Sequence, residues 1–231
     1  MTGTPKDPST DDGSFLQAVY SSRFSSEELA SKTELWGVLV ESFLQPLIPP
    51  DATVVDLGAG NCEFINAVHA HKRIAVDLNP DTDRLAAPGV EVLRTSSESM
   101  EAIPNDTVDV VFTSNFFEHL TSKDSLLTTL TETRRILKVG GRLIVLMPNI
   151  RNIPGAYWDY LDHHLPLTHH SLSEALDLSG FRVDTVIPKF LPYTVRNSRV
   201  RARRWMLRLY LKLRPAWWLL GKQMLVVATK V

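Results

Sequence analysis

The spacing of apolar positions changes character at Pro49-Pro50. Before that point, over residues 26–48, Leu29, Trp36, Leu39, Val40, Phe43, Leu44 and Leu47 recur at intervals of three and four, with Glu27 and Glu28 near the start. This spacing predicts an amphipathic helical region stopped by the proline pair. Beyond the prolines, short runs rich in β-branched residues alternate with helical stretches. Residues 53–57, 73–77, 90–93, 108–112 and 143–147 read as five strands. Residues 62–70 and 123–137 read as the helices between them, the second closed by Gly140-Gly141. A third helix at 171–178, closed by Gly180, leads to a sixth strand at 181–187, and residues 223–229 form a last one. Strands alternating with helices imply an α/β fold, doubly wound, with a parallel sheet covered on both faces.

Composition narrows the class. The 231 residues are 44% hydrophobic and 22% charged, enough for a large buried core and unlike a disordered chain. The one cysteine, Cys62, excludes a disulfide framework and a multi-thiolate zinc site, and it fits a reducing compartment, so a cytoplasmic setting is expected. No run of about 18 apolar residues occurs. Residues 1–14 lack apolar periodicity and are expected to be a mobile leader to a single domain spanning 15–231. The net charge of −1 hides a polarity: 14 Lys and Arg face 26 Asp and Glu up to Asp184, whereas 11 Lys and Arg and no acid follow it.

The most informative stretch is Val54-Val55-Asp56-Leu57-Gly58-Ala59-Gly60-Asn61-Cys62-Glu63, a strand running through two glycines into a helix. Gly58 and Gly60 permit a tight turn and close backbone approach to a ligand. Asp77 ends the next strand, where its carboxylate can accept both hydroxyls of a ribose. A pyrophosphate-binding turn wants a third glycine where this chain has Glu63, which argues against a dinucleotide.

Four segments in order resemble the class I (seven-strand, Rossmann-like) S-adenosylmethionine-dependent methyltransferases. They are Asp56-Leu57-Gly58-Ala59-Gly60, Ala75-Val76-Asp77-Leu78-Asn79, the run from Asp109 through Ser114-Asn115-Phe116-Phe117-Glu118-His119, and Arg135-Ile136-Leu137-Lys138-Val139-Gly140-Gly141. The resemblance implies a seven-stranded, mostly parallel sheet with an antiparallel last strand, a helical N-terminal cover and a basic helical insertion, residues 188–222, before the last strand. It implies S-adenosylmethionine as cofactor, held by Asp56, Gly58, Ala59, Gly60, Asp77, Leu78, Asn79, Ser114, Asn115 and Phe116. Ser96 and Ser97 stand where many relatives place an acid near the adenine, and Arg23 is a candidate partner for the cofactor carboxylate. Cys62 replaces a third glycine common in the family.

Methyl transfer is an in-line displacement, so the protein chiefly positions the acceptor and takes a proton where a hydroxyl attacks. Candidates for that proton are Glu118, His119, His163 and His164. Residues 157–170, from Tyr157-Trp158 through Asp162-His163-His164, follow the fifth strand onto the cofactor rim, and Tyr157, Trp158 and Asp162 suit a polyhydroxyl acceptor. Adjacent histidines in an extended loop point in opposite directions, and no metal is assigned to them. The chain is similar to a bacterial subgroup associated with surface-polysaccharide synthesis, which implies O-methylation of a saccharide, glycolipid precursor or other small hydroxyl acceptor. A non-catalytic cofactor-binding module docked on a membrane or biosynthetic complex is the competing reading.

In a helix over residues 198–213, Arg201, Arg204, Arg208 and Lys212 form one basic stripe, with Met206, Leu209, Tyr210 and Leu213 on another face. Residues 196–220, rich in Trp and Arg, suit either packing on the sheet or contact with an anionic membrane, placing the protein at the inner face of the cell membrane. No nucleic-acid-binding module accompanies the stripe, so a nucleic acid partner is disfavoured.

Overall fold

The computed structural model describes residues 26–193 and 203–231, the side chains of 26–31 excepted. The expected leader, Arg23 and Arg201 lie outside the described residues. Helix α1, Ser26–Leu39, continues through a π turn, Val40–Leu44, and a 3-10 turn, Gln45–Leu47, before the chain enters β1, Thr53–Leu57. The following elements are α2, Glu63–Ala67; β2, Lys72–Val76; α3, Thr82–Leu85; β3, Val90–Leu93; β4, Val108–Ser114; α4, Lys123–Ile136; and β5, Leu137–Pro148. After the rim loop come α5, His169–Leu178, β6, Phe181–Ile187, α6, Arg204–Lys212, α7, Arg214–Leu220, and β7, Gln223–Lys230.

The seven strands form one sheet in the order β3-β2-β1-β4-β5-β7-β6. Strands β1 to β5 are parallel, and β7 runs antiparallel to both β5 and β6, which leaves β6 parallel to β5. Strand order reverses between β1 and β4, so the crevice outside their carboxyl ends is where a ligand belongs in such a sheet. This is the seven-stranded, mostly parallel, doubly wound sheet with an antiparallel last strand expected from the sequence.

Alternation along the strands sends side chains to two separate cores. Val55, Leu57, Val111, Leu143 and Val145 pack with Leu126 and Leu130 of α4 and Leu172 and Leu176 of α5. Val54, Val110, Phe112, Ile144 and Leu146 pack on the opposite face with Val40 and Leu44 of the N-terminal cover, Phe64 of α2, and Leu211 and Trp217 of the basic segment. An aromatic cluster fixes that segment in place. The Trp217 ring lies 5.7 Å from Phe43 and 5.1 Å from Phe190, and its indole Nε1 donates to the Tyr210 carbonyl at 2.8 Å.

Three boundaries differ from expectation. Helix α2 starts at Glu63 and ends at Ala67, because Cys62 adopts a left-handed φ of 62° and Val68 is already extended. Gly140-Gly141 do not close α4, since the helix ends at Ile136 and Leu137 is already extended. The glycines serve an irregularity where the β4–β5 register steps from Val108↔Leu137 to Val110↔Arg142, and a Cβ on Gly141 would stand 2.8 Å from the Lys138 carbonyl oxygen. The basic helix begins at Arg204 and breaks at Leu213, ahead of Pro215. Its inward side carries Leu211 with Leu207 and Tyr210, whereas Met206, Leu209 and Leu213 are exposed.

Arg135, read from the sequence as part of a cofactor-fold turn, is a strut. Its guanidinium donates to the carbonyls of Ile103 and Met100 and to both carboxylate oxygens of Glu132 at 2.9 Å. The Arg135 hydrogen bond holds the Glu132 carboxyl below the usual carboxylate range. A depressed carboxylate contributes stability that is present at neutral pH and lost as pH falls through its folded-state pKa. Urea melts from pH 7 down to pH 3 are therefore expected to show a shallower acid loss for Glu132→Gln than for the parent, by about 1 kcal/mol or less. Identical slopes would remove the strut's electrostatic part.

Candidate active site at the carboxyl ends of the strands

The first turn leaves β1 through Gly58, whose φ of 73° and Gly60's φ of 50° are in the left-handed region that suits glycine. The amides of Gly58 and Ala59 both donate to the Val76 carbonyl, at 2.9 and 3.2 Å, so the turn is sewn to the end of β2. Asp77, next along β2, takes the Gly60 amide on Oδ2 at 2.6 Å and the Asn79 amide on Oδ1 at 2.7 Å. Asn79 is buried, its Oδ1 accepts the Asp81 amide, and its Nδ2 makes no hydrogen bond among the described residues. Asp56 lies in the interior at 3% exposure. Burial raises its carboxyl pKa well above the ordinary value, with the Glu63 and Asp77 charges adding to it. Burial likewise pushes the Cys62 thiol up to about 12, so this thiol is not a nucleophile at neutral pH.

The close neighbour at Gly58 is a side chain of this protein. A Cβ there would stand 2.5 Å from the Phe116 ring, so the glycine makes room for Phe116 as it crosses the turn. Phe116 follows β4, whose tip is bent outward by Asn115 at φ 50°. Asn115 donates through Nδ2 to the Ser114 hydroxyl at 3.0 Å. The same tail then buries Phe117 and Glu118 and presents His119, which ties the glycine turn to a second group of residues on the rim.

That group is assembled by the loop after β5. The carbonyl of Glu118 accepts the amides of His164 and Leu165 at 2.8 and 3.1 Å, which fixes the loop against the β4 tail. His119 Nδ1 lies 2.9 Å from the Asp162 carbonyl oxygen and 3.2 Å from Asp162 Oδ2. The His163 ring is 5.1 Å from that of His119, 4.7 Å from Tyr157 and stacked on Tyr160 at 4.9 Å. Tyr160 in turn meets Tyr193 edge-on at 6.1 Å, where the basic segment leaves the sheet. Burial pushes the Glu118 carboxyl up to about 7, against the opposing pull of His119. For His119 burial works against protonation, yet the Asp162 hydrogen bond and the neighbouring acids outweigh it and raise its pKa.

Residues 55–145 match the family model of a methyltransferase domain. The matched stretch runs from β1 into β5, so the similarity to a methyltransferase domain covers the glycine turn, Asp77 and the β4 tail. Solved structures agree on the fold. An S-adenosylmethionine-dependent methyltransferase from Archaeoglobus fulgidus is 19% identical over 86% of this chain and 94% of its own, with a TM-score of 0.63. The Haloferax volcanii partner of the Trm112 methyltransferase activator is 18% identical over 84% and 89%, at 0.62. A geranyl diphosphate methyltransferase in complex with S-adenosylmethionine is 16% identical over 99% and 93%, at 0.59. No curated protein matches the chain significantly.

The residues at the first two turns have the chemistry that S-adenosylmethionine would need. The two left-handed glycines, the Asp77 carboxylate at the tip of β2 and the unsatisfied, buried Nδ2 of Asn79 converge on one end of the sheet. Leu78 stands half-buried beside them. Several expectations need correction. Ser97, expected at the adenine, is buried with its hydroxyl 2.9 Å from Thr129 Oγ1, while Ser96 is half-buried and its Oγ accepts the Glu98 amide. Tyr157, expected to meet the acceptor, is 0% exposed and supports His163 from below, whereas Trp158 is 59% exposed. The histidine pair splits as adjacent residues in an extended loop should: His163 faces inward and His164 is exposed, with only its backbone engaged among the described residues. The pairing of His119 with Asp162, across 43 residues, and the stacking of Tyr160 on His163 have no local sequence signal.

Proposed function

We propose that this methyltransferase transfers the sulfonium methyl group of S-adenosylmethionine to a hydroxyl of a saccharide, a glycolipid precursor or another small acceptor. The C–S bond breaks as the C–O bond forms, S-adenosylhomocysteine leaves, and the hydroxyl proton passes to the rim cluster. The observation that carries this reading is the union of two features on one segment: the β4 tail lies over the glycine turn through Phe116 and enters the Glu118–His119–Asp162–His163 cluster two residues later. Proton acceptors next to the methyl donor are what a hydroxyl acceptor requires. The exposed Trp158 and the Tyr160–Tyr193 pair beside that cluster offer ring faces of the kind that stack on sugars. Asp77 is assigned the ribose hydroxyls, and Asp56, the Gly58–Ala59–Gly60 turn, Ser114, Asn115 and Phe116 the methionine side. Geranyl diphosphate, the acceptor of one structural neighbour, is not a saccharide, so the acceptor reading rests on this chain's own rim.

A further observation favours action at a membrane surface. Trp205, Leu209, Leu213, Trp218, Leu219 and Leu220 are 47–72% exposed on α6, α7 and the break between them, flanked by Arg203, Arg204, Lys212 and Arg214. Aromatic and aliphatic groups ringed by cations suit an anionic bilayer. Packing takes part of the segment as well, since Arg208 pairs with Glu41 of the N-terminal cover at 3.0 Å. No helix among the described residues is long and apolar enough to cross a membrane.

Calorimetry with S-adenosylhomocysteine is expected to show at least about a tenfold loss of affinity for Asp77→Ala, the scale of two charge-assisted hydrogen bonds. Unchanged affinity would remove the ribose assignment. With labelled S-adenosylmethionine and a host extract, the parent is expected to label a saccharide-bearing product. Asp162→Asn should slow that labelling about tenfold or more while S-adenosylhomocysteine affinity holds. Label confined to protein or nucleic acid would sink the acceptor reading. Flotation with phosphatidylglycerol vesicles at low salt should carry the protein upward and Trp218→Glu should leave it behind; no flotation of the parent refutes the membrane contact.

A further inference from the structure

We infer that Glu118, His119 and His163 form a binding site for a divalent transition-metal ion of the zinc type. One ligand atom from each lies within 4.8 Å of the other two. Around an ion bound at about 2.0–2.2 Å, tetrahedral ligand atoms stand about 3.4 Å apart, so small side-chain rotations close the set.

Three further features of the cluster point to a cation. First, Glu118 is 1% exposed and its Oε2 has no hydrogen-bond partner among the described residues. A carboxylate oxygen taken out of water and left unpaired is unfavourable until a cation or a proton reaches it. Second, Asp162 takes up His119 Nδ1 through both its carbonyl and its carboxylate, at 2.9 and 3.2 Å. An Nδ1–H donated to Asp162 leaves the Nε2 lone pair for an ion, the arrangement by which an outer carboxylate orients a metal-binding histidine. Third, the amides of His164 and Leu165 bond to the Glu118 carbonyl, so the loop carrying His163 is registered on the segment carrying the other two ligands.

The donor set decides the class of ion. Two imidazoles and one carboxylate select first-row transition ions such as iron, cobalt, nickel or zinc over magnesium and calcium, which prefer all-oxygen sites. Three protein ligands leave a fourth position open, as catalytic zinc sites do. With an ion bound, Glu118, His119 and His163 are ligands and not proton acceptors, so the metal site is an alternative use of the same cluster, and a binding measurement, and not turnover, decides between the two.

The test uses the untagged full chain, stripped with chelator and titrated with Co²⁺ alone. Visible ligand-field absorption should grow to one equivalent and be displaced by Zn²⁺. Glu118→Gln and His163→Ala should each weaken Co²⁺ binding at least tenfold, with folding checked by thermal melting, while His164→Ala, altering an exposed side chain, leaves metal affinity unchanged. Absent stoichiometric binding, or equal affinity in the parent and the His163→Ala variant, overturns the site. S-adenosylhomocysteine calorimetry on the same metal-free samples reports the cofactor site separately, so a failed metal titration with intact cofactor binding counts against the metal alone.

Discussion

Because crossover helices pack on both sides of β1, β4 and β5, each face of the sheet must find a complete apolar cover. One face obtains it from α4 and α5 within the repeating strand–helix pattern. The other is closed by pieces from distant parts of the chain: the N-terminal helices, the short α2, and the basic segment entering through Leu211 and Trp217. This requirement explains why a segment without a single acidic residue is held to the body by apolar and aromatic contacts. Burying rings such as Phe43, Phe190 and Trp217 stabilises by several kcal/mol in total. The one described ion pair from α6 to the N-terminal cover, Arg208 with Glu41, is exposed and adds about 1 kcal/mol at most.

The same economy shapes the rim. The seven residues from Thr113 to His119 finish β4, support the glycine turn, fill the core and contribute Glu118 and His119 to the rim cluster. Phe116 lies across Gly58, Phe117 is buried in the first core, and Glu118 holds the loop through its carbonyl while its carboxyl sits in the interior with Oε2 unpartnered among the described residues. A buried acid beside two histidines and a positioned aspartate is costly for folding. Sites with such strained electrostatics are where function is concentrated.

The basic segment and the rim loop also meet. Tyr193 at the start of the segment faces Tyr160, which stacks on His163. The Phe190 amide donates to the Gln223 carbonyl, and the Lys222 amide to the Leu191 carbonyl, so both ends of the segment are pinned beside the carboxyl end of β5. Helices α6 and α7 are therefore carried on a segment anchored at the same edge of the sheet as the rim cluster.

Local pattern determined the strands, the order of elements and the glycine turn after β1, because β-branched runs, helical spacing and left-handed glycines are read within a few residues. It located Asp77 and the rim loop on the same grounds, since the carboxyl ends of parallel strands share one edge. Tertiary structure alone decided where Gly140-Gly141 act, which half of the histidine pair turns inward, and that Tyr157 and Ser97 serve packing. Each depends on a partner far along the chain: Val108 and Val110 for the β5 register, Glu118 for the loop, Thr129 for Ser97. The joining of Glu118, His119, Asp162 and His163 into one cluster belongs to that second group. Its members come from two loops, and only the closed sheet, with both faces covered, brings those loops together.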